Sequence, residues 1–144
     1  MKDWIQSTPK AVLHDHLDGG LRVNTLIELA ELQGYKNLPS SDKSELLNWI
    51  EPKPNKSLAI NLEAWDHTIA VMQDADSIYR VTMEALEDLA NDGVIYAELR
   101  FAPLVHCENG LSPNQVVDAV LNGIKDGTER YNKNVNKFHP ELGK

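Results

Sequence analysis

Cysteine is nearly absent from this chain. Cys107 is the single one in 144 residues, which excludes an internal disulfide framework. Long apolar runs are absent too: none approaches the ~20 residues needed to span a bilayer. The opening segment MKDWIQSTPK has no apolar stretch of the kind that marks a secretory signal. Basic residues are scarce, with 14 Lys+Arg against 22 Asp+Glu and a net charge of −8, which argues against a surface that grips nucleic-acid phosphates. There is no internal repeat and no low-complexity tract. What remains is an ordinary globular composition, 42% hydrophobic and 25% charged, at a length that suits one domain with one core. A cytoplasmic protein with neither nucleic-acid nor membrane partners is expected.

The pattern along the chain alternates strand and helix. Lys10–His16 (KAVLHDH) reads as a short strand closed by Gly19-Gly20. Asn24 is the expected N-cap of a helix that carries Leu26, Ile27, Leu29 and Ala30 and stops at Gly34. Ser41 or Asp42 caps a short helix broken by Pro52 and Pro54. Leu62, Trp65, Ile69 and Met72 share the face of a helix that starts near Leu58 or Leu62 and ends at Gln73. Asp74 or Asp76 opens the strongest helix, with Ile78, Met83, Leu86 and Leu89 inward and Asn91-Asp92-Gly93 as its stop. Val94–Phe101 (VIYAELRF) is a second strand. Ser112, Pro113 and Gln115 form a capping box for a last helix that ends near Tyr131. The expected division is therefore residues 1–131 as the folded portion and 132–144 as a polar tail. Strand, helices, strand, helix is the grammar of βα units around a parallel sheet.

The sharpest chemical signal is Leu13-His14-Asp15-His16-Leu17-Asp18-Gly19-Gly20. Strand positions i and i+2 point to one face, so His14 and His16 project together and Asp18 follows where the strand ends. Two imidazoles held this way suit Zn²⁺, which takes nitrogen at ~2.0–2.1 Å. A bare His-x-His is more often two histidines on a half-exposed strand. The whole octet at the end of an apolar strand favours metal.

The segment PKAVLHDHLDGGLRVNTLIELA resembles the opening of the adenosine deaminase family. The resemblance continues through HTIAVMQDADSIYRVTMEALEDLANDGVIYAELRFAPLVHCENGLSPNQVVDAVLNGI and is weaker between Glu51 and Glu63. It implies an α/β fold, the N-terminal part of a helix-rich (β/α)8 TIM-type barrel, whose full form takes ~250 residues. It also implies a zinc-dependent conversion of adenosine and water to inosine and ammonia, in which zinc-activated hydroxide attacks purine C6. By the same resemblance His14 and His16 are the first two zinc ligands, His16 is also a substrate neighbour, and Asp18 accepts a hydrogen bond from the ribose 5′-hydroxyl. A third zinc histidine, a His-Ala-Gly-Glu segment with the catalytic glutamate, a further histidine and a late metal-binding aspartate are implied by the family and have no counterpart in the sequence. The chain is accordingly expected to be an incomplete, truncated portion of such a barrel, with its catalytic glutamate unassigned.

Other residues invite plainer readings. His67 is expected on the solvated side of its helix. His106, Cys107 and Glu108 follow the second strand as loop residues, with a substitute metal ligand as the minority reading. His139 takes no role. Glu98 and Arg100 share one strand face and are expected to support structure. Trp65 and its stripe either fill the core or roof a purine pocket. Glu84, Glu87, Asp88 and Asp92 read as a solvated helix face. Three functional expectations follow: a purine nucleoside deaminase acting on a small-molecule nucleoside, an inactive or complementing half-barrel that self-associates or docks a C-terminal piece, or a zinc-binding remnant. An adenine deaminase is the alternative within the enzyme class.

Overall fold

In a computed structural model, residues 5, 8–51 and 58–138 are described. The element order is β1 (Lys10–His16), a 3-10 turn (Leu17–Gly19), α1 (Val23–Gln33), α2 (Lys43–Ile50), α3 (Leu58–Ala70), α4 (Ala75–Asn91), β2 (Val94–Arg100), a second 3-10 turn (Pro103–His106) and α5 (Pro113–Phe138). Among the described residues the two strands form one parallel sheet, with His16 opposite Arg100 at its C-terminal end. Parallel pairing requires a crossover, and α1 to α4 provide it. This is the expected helix-rich α/β arrangement. No helix among the described residues is long and apolar enough to cross a membrane.

Local chemistry sets most boundaries. Asp42 caps α2 by accepting from the Ser44 and Glu45 N–H groups. Gly34 ends α1 at φ 67°, a left-handed conformation that glycine adopts without strain. Gln115 donates its N–H to Ser112 Oγ, and its side-chain oxygen accepts the Ser112 N–H, closing the expected capping box.

Three boundaries differ from the sequence reading. Helix α1 begins at Val23, with Arg22 at the N-cap and no side-chain cap, so Asn24 lies inside the first turn. Arg22 is instead fixed by ion pairs to Glu87 and Asp88 of α4 at 2.8 and 2.6 Å, a tertiary restraint that local capping propensity does not register. Helix α3 ends at Ala70, and residues 71–73 form a buried turn. Helix α5 continues to Phe138 instead of stopping near Tyr131. His139 and residues 140–144 lie outside the described residues.

The core gathers Leu26 and Leu29 of α1, Leu46 of α2, Val71 and Met72 of the turn, Ile78 and Val81 of α4, and Val116 and Val120 of α5. Helices α4 and α5 pack closely because Gly123 faces Thr82. A Cβ at Gly123 would stand 2.7 Å from the Thr82 Cβ. The acidic face of α4 is no simple solvated surface. Arg22 reaches Glu87 and Asp88, Thr25 donates to Glu84, and Arg80 bridges Glu84 to Glu28. The two carboxylates push the Arg22 guanidinium above its ordinary value. Such half-exposed pairs contribute about 0–1 kcal/mol each and mainly fix the register of α1 on α4.

Asp74 joins the N-terminus of α4 to α1. It accepts from the Ser77 N–H at 2.8 Å, from Ser77 Oγ at 2.7 Å and from Gln33 Nε2 at 2.7 Å. Asp74→Ala is expected to cost about 1–2 kcal/mol in urea denaturation, and Asp74→Asn, which keeps an acceptor, less.

Candidate metal and nucleoside site

A register shift between Val12 and Asp15 places one extra residue in β1. Such bulges re-aim side chains where a strand approaches a site. Beyond it, Asp15 and His16 line a cavity with Ala85 and Leu89 of α4, and His14 and His16 come together with their Nε2 atoms 2.9 Å apart. The rings lie 4.8 Å apart, tilted by 51°. Two imidazole nitrogens on one tetrahedral zinc stand roughly 3.3 Å apart, so the observed pair is that spacing slightly closed.

His16 carries a second mark of a metal ligand. Its Nδ1 faces Asp18 Oδ1 at 3.9 Å, and histidines that bind metal through one nitrogen commonly have a carboxylate near the other. The donor set therefore fits zinc at two positions. Among the described residues no group of three His, Cys, Asp or Glu side chains converges on one point. The substitute ligand entertained in sequence is not found. His106 faces Asp18, and the Cys107 thiol donates to the Pro103 carbonyl at 3.3 Å.

Asp18 sits in the 3-10 turn and is 3% exposed. Its Oδ2 accepts the Ala102 N–H at 3.3 Å, and its backbone carbonyl accepts from Thr68 Oγ1 at 2.5 Å. Burial pushes its carboxyl upward, but the His106 side chain and the Ala102 N–H outweigh burial and hold it below the ordinary carboxylate value. Its Oδ1 has no hydrogen-bond partner among the described residues.

Trp65 of α3 closes this end. Its ring lies 4.9 Å from that of His16, and a Cβ on Gly19 would stand 2.7 Å from its Nε1. Of the stripe expected with it, Met72 is buried and Leu62 is 42% exposed. Gly19, not Gly20, is thus the glycine that close approach requires. At Gly20 a Cβ would meet only the His16 carbonyl at 3.5 Å.

Several side chains occupy places the sequence did not reveal. His106 is 1% exposed rather than a loop residue, because the turn Pro103–His106 folds under Asp18. Gln73 grips that loop, donating to the Val105 carbonyl at 2.8 Å and accepting the Glu108 N–H at 3.0 Å. His67 is packed rather than solvated: it shares a 2.7 Å hydrogen bond with the Tyr35 hydroxyl and meets Trp49 edge-on. Glu98 and Arg100 stand 3.9 Å apart on the exposed face of β2. The available signal for His106 was its position just beyond β2, level with the end of β1.

Gly19→Ala is expected to displace the Trp65 ring from His16, moving the Trp65 indole signal in ¹H–¹⁵N spectra. Gly20→Ala should leave that signal in place.

The family model for adenosine deaminase matches residues 9–136. The adenosine deaminase of Mycobacteroides abscessus is 51% identical over 124 residues, covering 85% of this chain and 34% of the relative. Among solved structures, the adenine deaminase of Arthrobacter aurescens superposes with a TM-score of 0.73 at 30% identity, covering 84% of this chain and 36% of that one. The apo N6-methyl-AMP deaminase of Arabidopsis thaliana gives 0.68 at 33% identity, covering 87% and 35%. The chain thus spans about a third of the length of the curated relatives it matches, and its fold is part of the barrel of these deaminases. On its sequence, fold and strand-end geometry, the chain belongs to the adenosine deaminase family.

Proposed function

We propose that this chain supplies two zinc ligands and a nucleoside anchor to a purine nucleoside deaminase that converts adenosine and water to inosine and ammonia. The observation that carries the reading is the convergence of His14 and His16 Nε2 at 2.9 Å beside a buried, half-satisfied carboxylate on Asp18. Zinc, when bound, supplies the Lewis acidity that makes water nucleophilic at neutral pH. His14 and His16 would hold it through Nε2. Asp18 lies beside His16, with Oδ1 3.9 Å from Nδ1 and free of hydrogen bonds among the described residues, and offers that oxygen to a ribose hydroxyl. Trp65 packs its ring against His16 at 4.9 Å and forms one wall of the site.

Adenosine is favoured over adenine by Asp18 itself. A buried acceptor with an unused oxygen needs a donor, and the 5′-hydroxyl of a nucleoside provides one that a free base lacks. The Arthrobacter relative is an adenine deaminase, so the distinction is a real one within the fold. Asp18→Ala should lower activity on adenosine and spare 5′-deoxyadenosine; equal loss on both would count against the ribose contact.

A complementing half-barrel is the second reading, and one feature favours it. Beside β2 lies an apolar groove lined by Leu86, Val94, Tyr96, Leu99 and Ile124, and β2 is paired on one side only among the described residues. Unpaired parallel edges invite further strands. The direct test supplies the chain with zinc and with a polypeptide carrying the C-terminal remainder of the Mycobacteroides abscessus relative. Adenosine deamination is expected, and it should disappear in His14→Ala/His16→Ala. A folded, associated pair that leaves adenosine untouched overturns the proposed activity.

A further inference from the structure

His106 has no part in the scheme above, yet it is among the most deeply buried side chains, at 1% exposure. Its Nδ1 lies 3.0 Å from the Met72 carbonyl. A carbonyl only accepts, so Nδ1 carries the hydrogen and the ring orientation is fixed. That orientation aims Nε2 at Asp18 Oδ2, 3.8 Å away, short of a full hydrogen bond. Nε2 and Asp18 Oδ1 are the two buried side-chain polar atoms without a hydrogen-bond partner among the described residues. Native interiors rarely tolerate such groups without a reason, and here they lie on the two neighbouring residues: Nε2 faces Oδ2 of the carboxylate whose other oxygen, Oδ1, is the unpartnered one.

We propose that His106 is the positioning residue of Asp18: as an imidazolium it donates through Nδ1 to the Met72 carbonyl and presents its Nε2–H to Oδ2 from beneath, leaving Oδ1 turned toward His16 and the nucleoside site. The functional part rests on the reading of Asp18 as the acceptor of a nucleoside hydroxyl.

The surrounding contacts are built for this hold. Residues 71–73 are buried, and Met72 and Gln73 meet the turn after β2. Met72 fixes the His106 ring, while Gln73 fixes the backbone on either side of it through Val105 and Glu108. The Ala102 N–H secures the same oxygen, Oδ2, that His106 faces. Thr68 secures the Asp18 backbone. The loop after β2 therefore meets the carboxylate at Oδ2 through Ala102 and His106, Thr68 holds the Asp18 backbone, and Oδ1 is left without a hydrogen-bond partner among the described residues. A carboxylate held in one rotamer presents its acceptor without the entropy cost of ordering it on binding.

Two amide variants separate the two nitrogens of the ring. In His106→Asn the amide nitrogen replaces Nδ1, keeping the Met72 anchor and losing reach to Asp18. In His106→Gln it replaces Nε2, keeping a donor toward Asp18. On the 144-residue chain, His106→Asn is expected to weaken adenosine binding roughly tenfold, the size of one lost hydrogen bond to a charged group. Binding of 5′-deoxyadenosine should stay unchanged, and His106→Gln should restore adenosine. Equal weakening toward both nucleosides, or none, overturns the positioning role. An arm without ligand tests the contact itself: Asp18→Asn should move the Nε2 ¹⁵N signal of His106 and leave the Nδ1 signal in place. An unmoved Nε2 signal overturns the proposal. If Nε2 follows Asp18 while the unsubstituted chain binds neither nucleoside, the contact stands and the nucleoside reading of Asp18 falls.

Discussion

Two strands that run side by side in the same direction cannot be joined by a tight turn, so the chain between them must cross over the sheet. In this protein the crossover carries α1 to α4, and every feature of the site depends on it. It brings the C-terminal ends of β1 and β2 level, with His16 opposite Arg100. It also delivers Met72 and Gln73 to the turn that follows β2. Strand ends of this kind carry the chemistry of α/β barrels because loops can vary there while the sheet stays fixed.

The polar interior beneath Asp18 has a cost. Burying a carboxylate is unfavourable unless donors replace water. The Ala102 N–H meets part of that demand, and with the His106 side chain it holds the carboxyl below its ordinary range despite burial. A site that needed only stability would have satisfied both oxygens or used an apolar residue. On the proposed reading of Asp18 as a nucleoside acceptor, the unsatisfied Oδ1 follows the common pattern in which local structural rules are broken for function.

Much of this was legible in sequence because it depended on local signals. Strand β1 matched Lys10–His16 as read, the caps at Asp42 and Ser112 followed from side-chain chemistry, and Gly34 ended α1 as glycine does. The His14–His16 pair followed from strand periodicity, although a bulge at Val12–Asp15 intervenes before it. What could not be read depended on tertiary partners. Arg22 replaced Asn24 at the start of α1 because Glu87 and Asp88 hold it. His67 was drawn inward by Tyr35 and Trp49. His106 and Gln73 became interior only when the turn at 71–73 met the loop after β2. None of these has a local pattern, since each partner lies more than thirty residues away, apart from Trp49, which is eighteen residues from His67.

The central proposal is that the end of β1 presents His14 and His16 as a pair of zinc ligands set by this chain's own fold. X-ray absorption at the zinc edge of the loaded chain tests it most directly. Two imidazole nitrogens at ~2.0–2.1 Å are predicted, with both lost in His14→Ala/His16→Ala. A zinc environment that is the same with and without the two histidines, or no stoichiometric zinc at all, would contradict it.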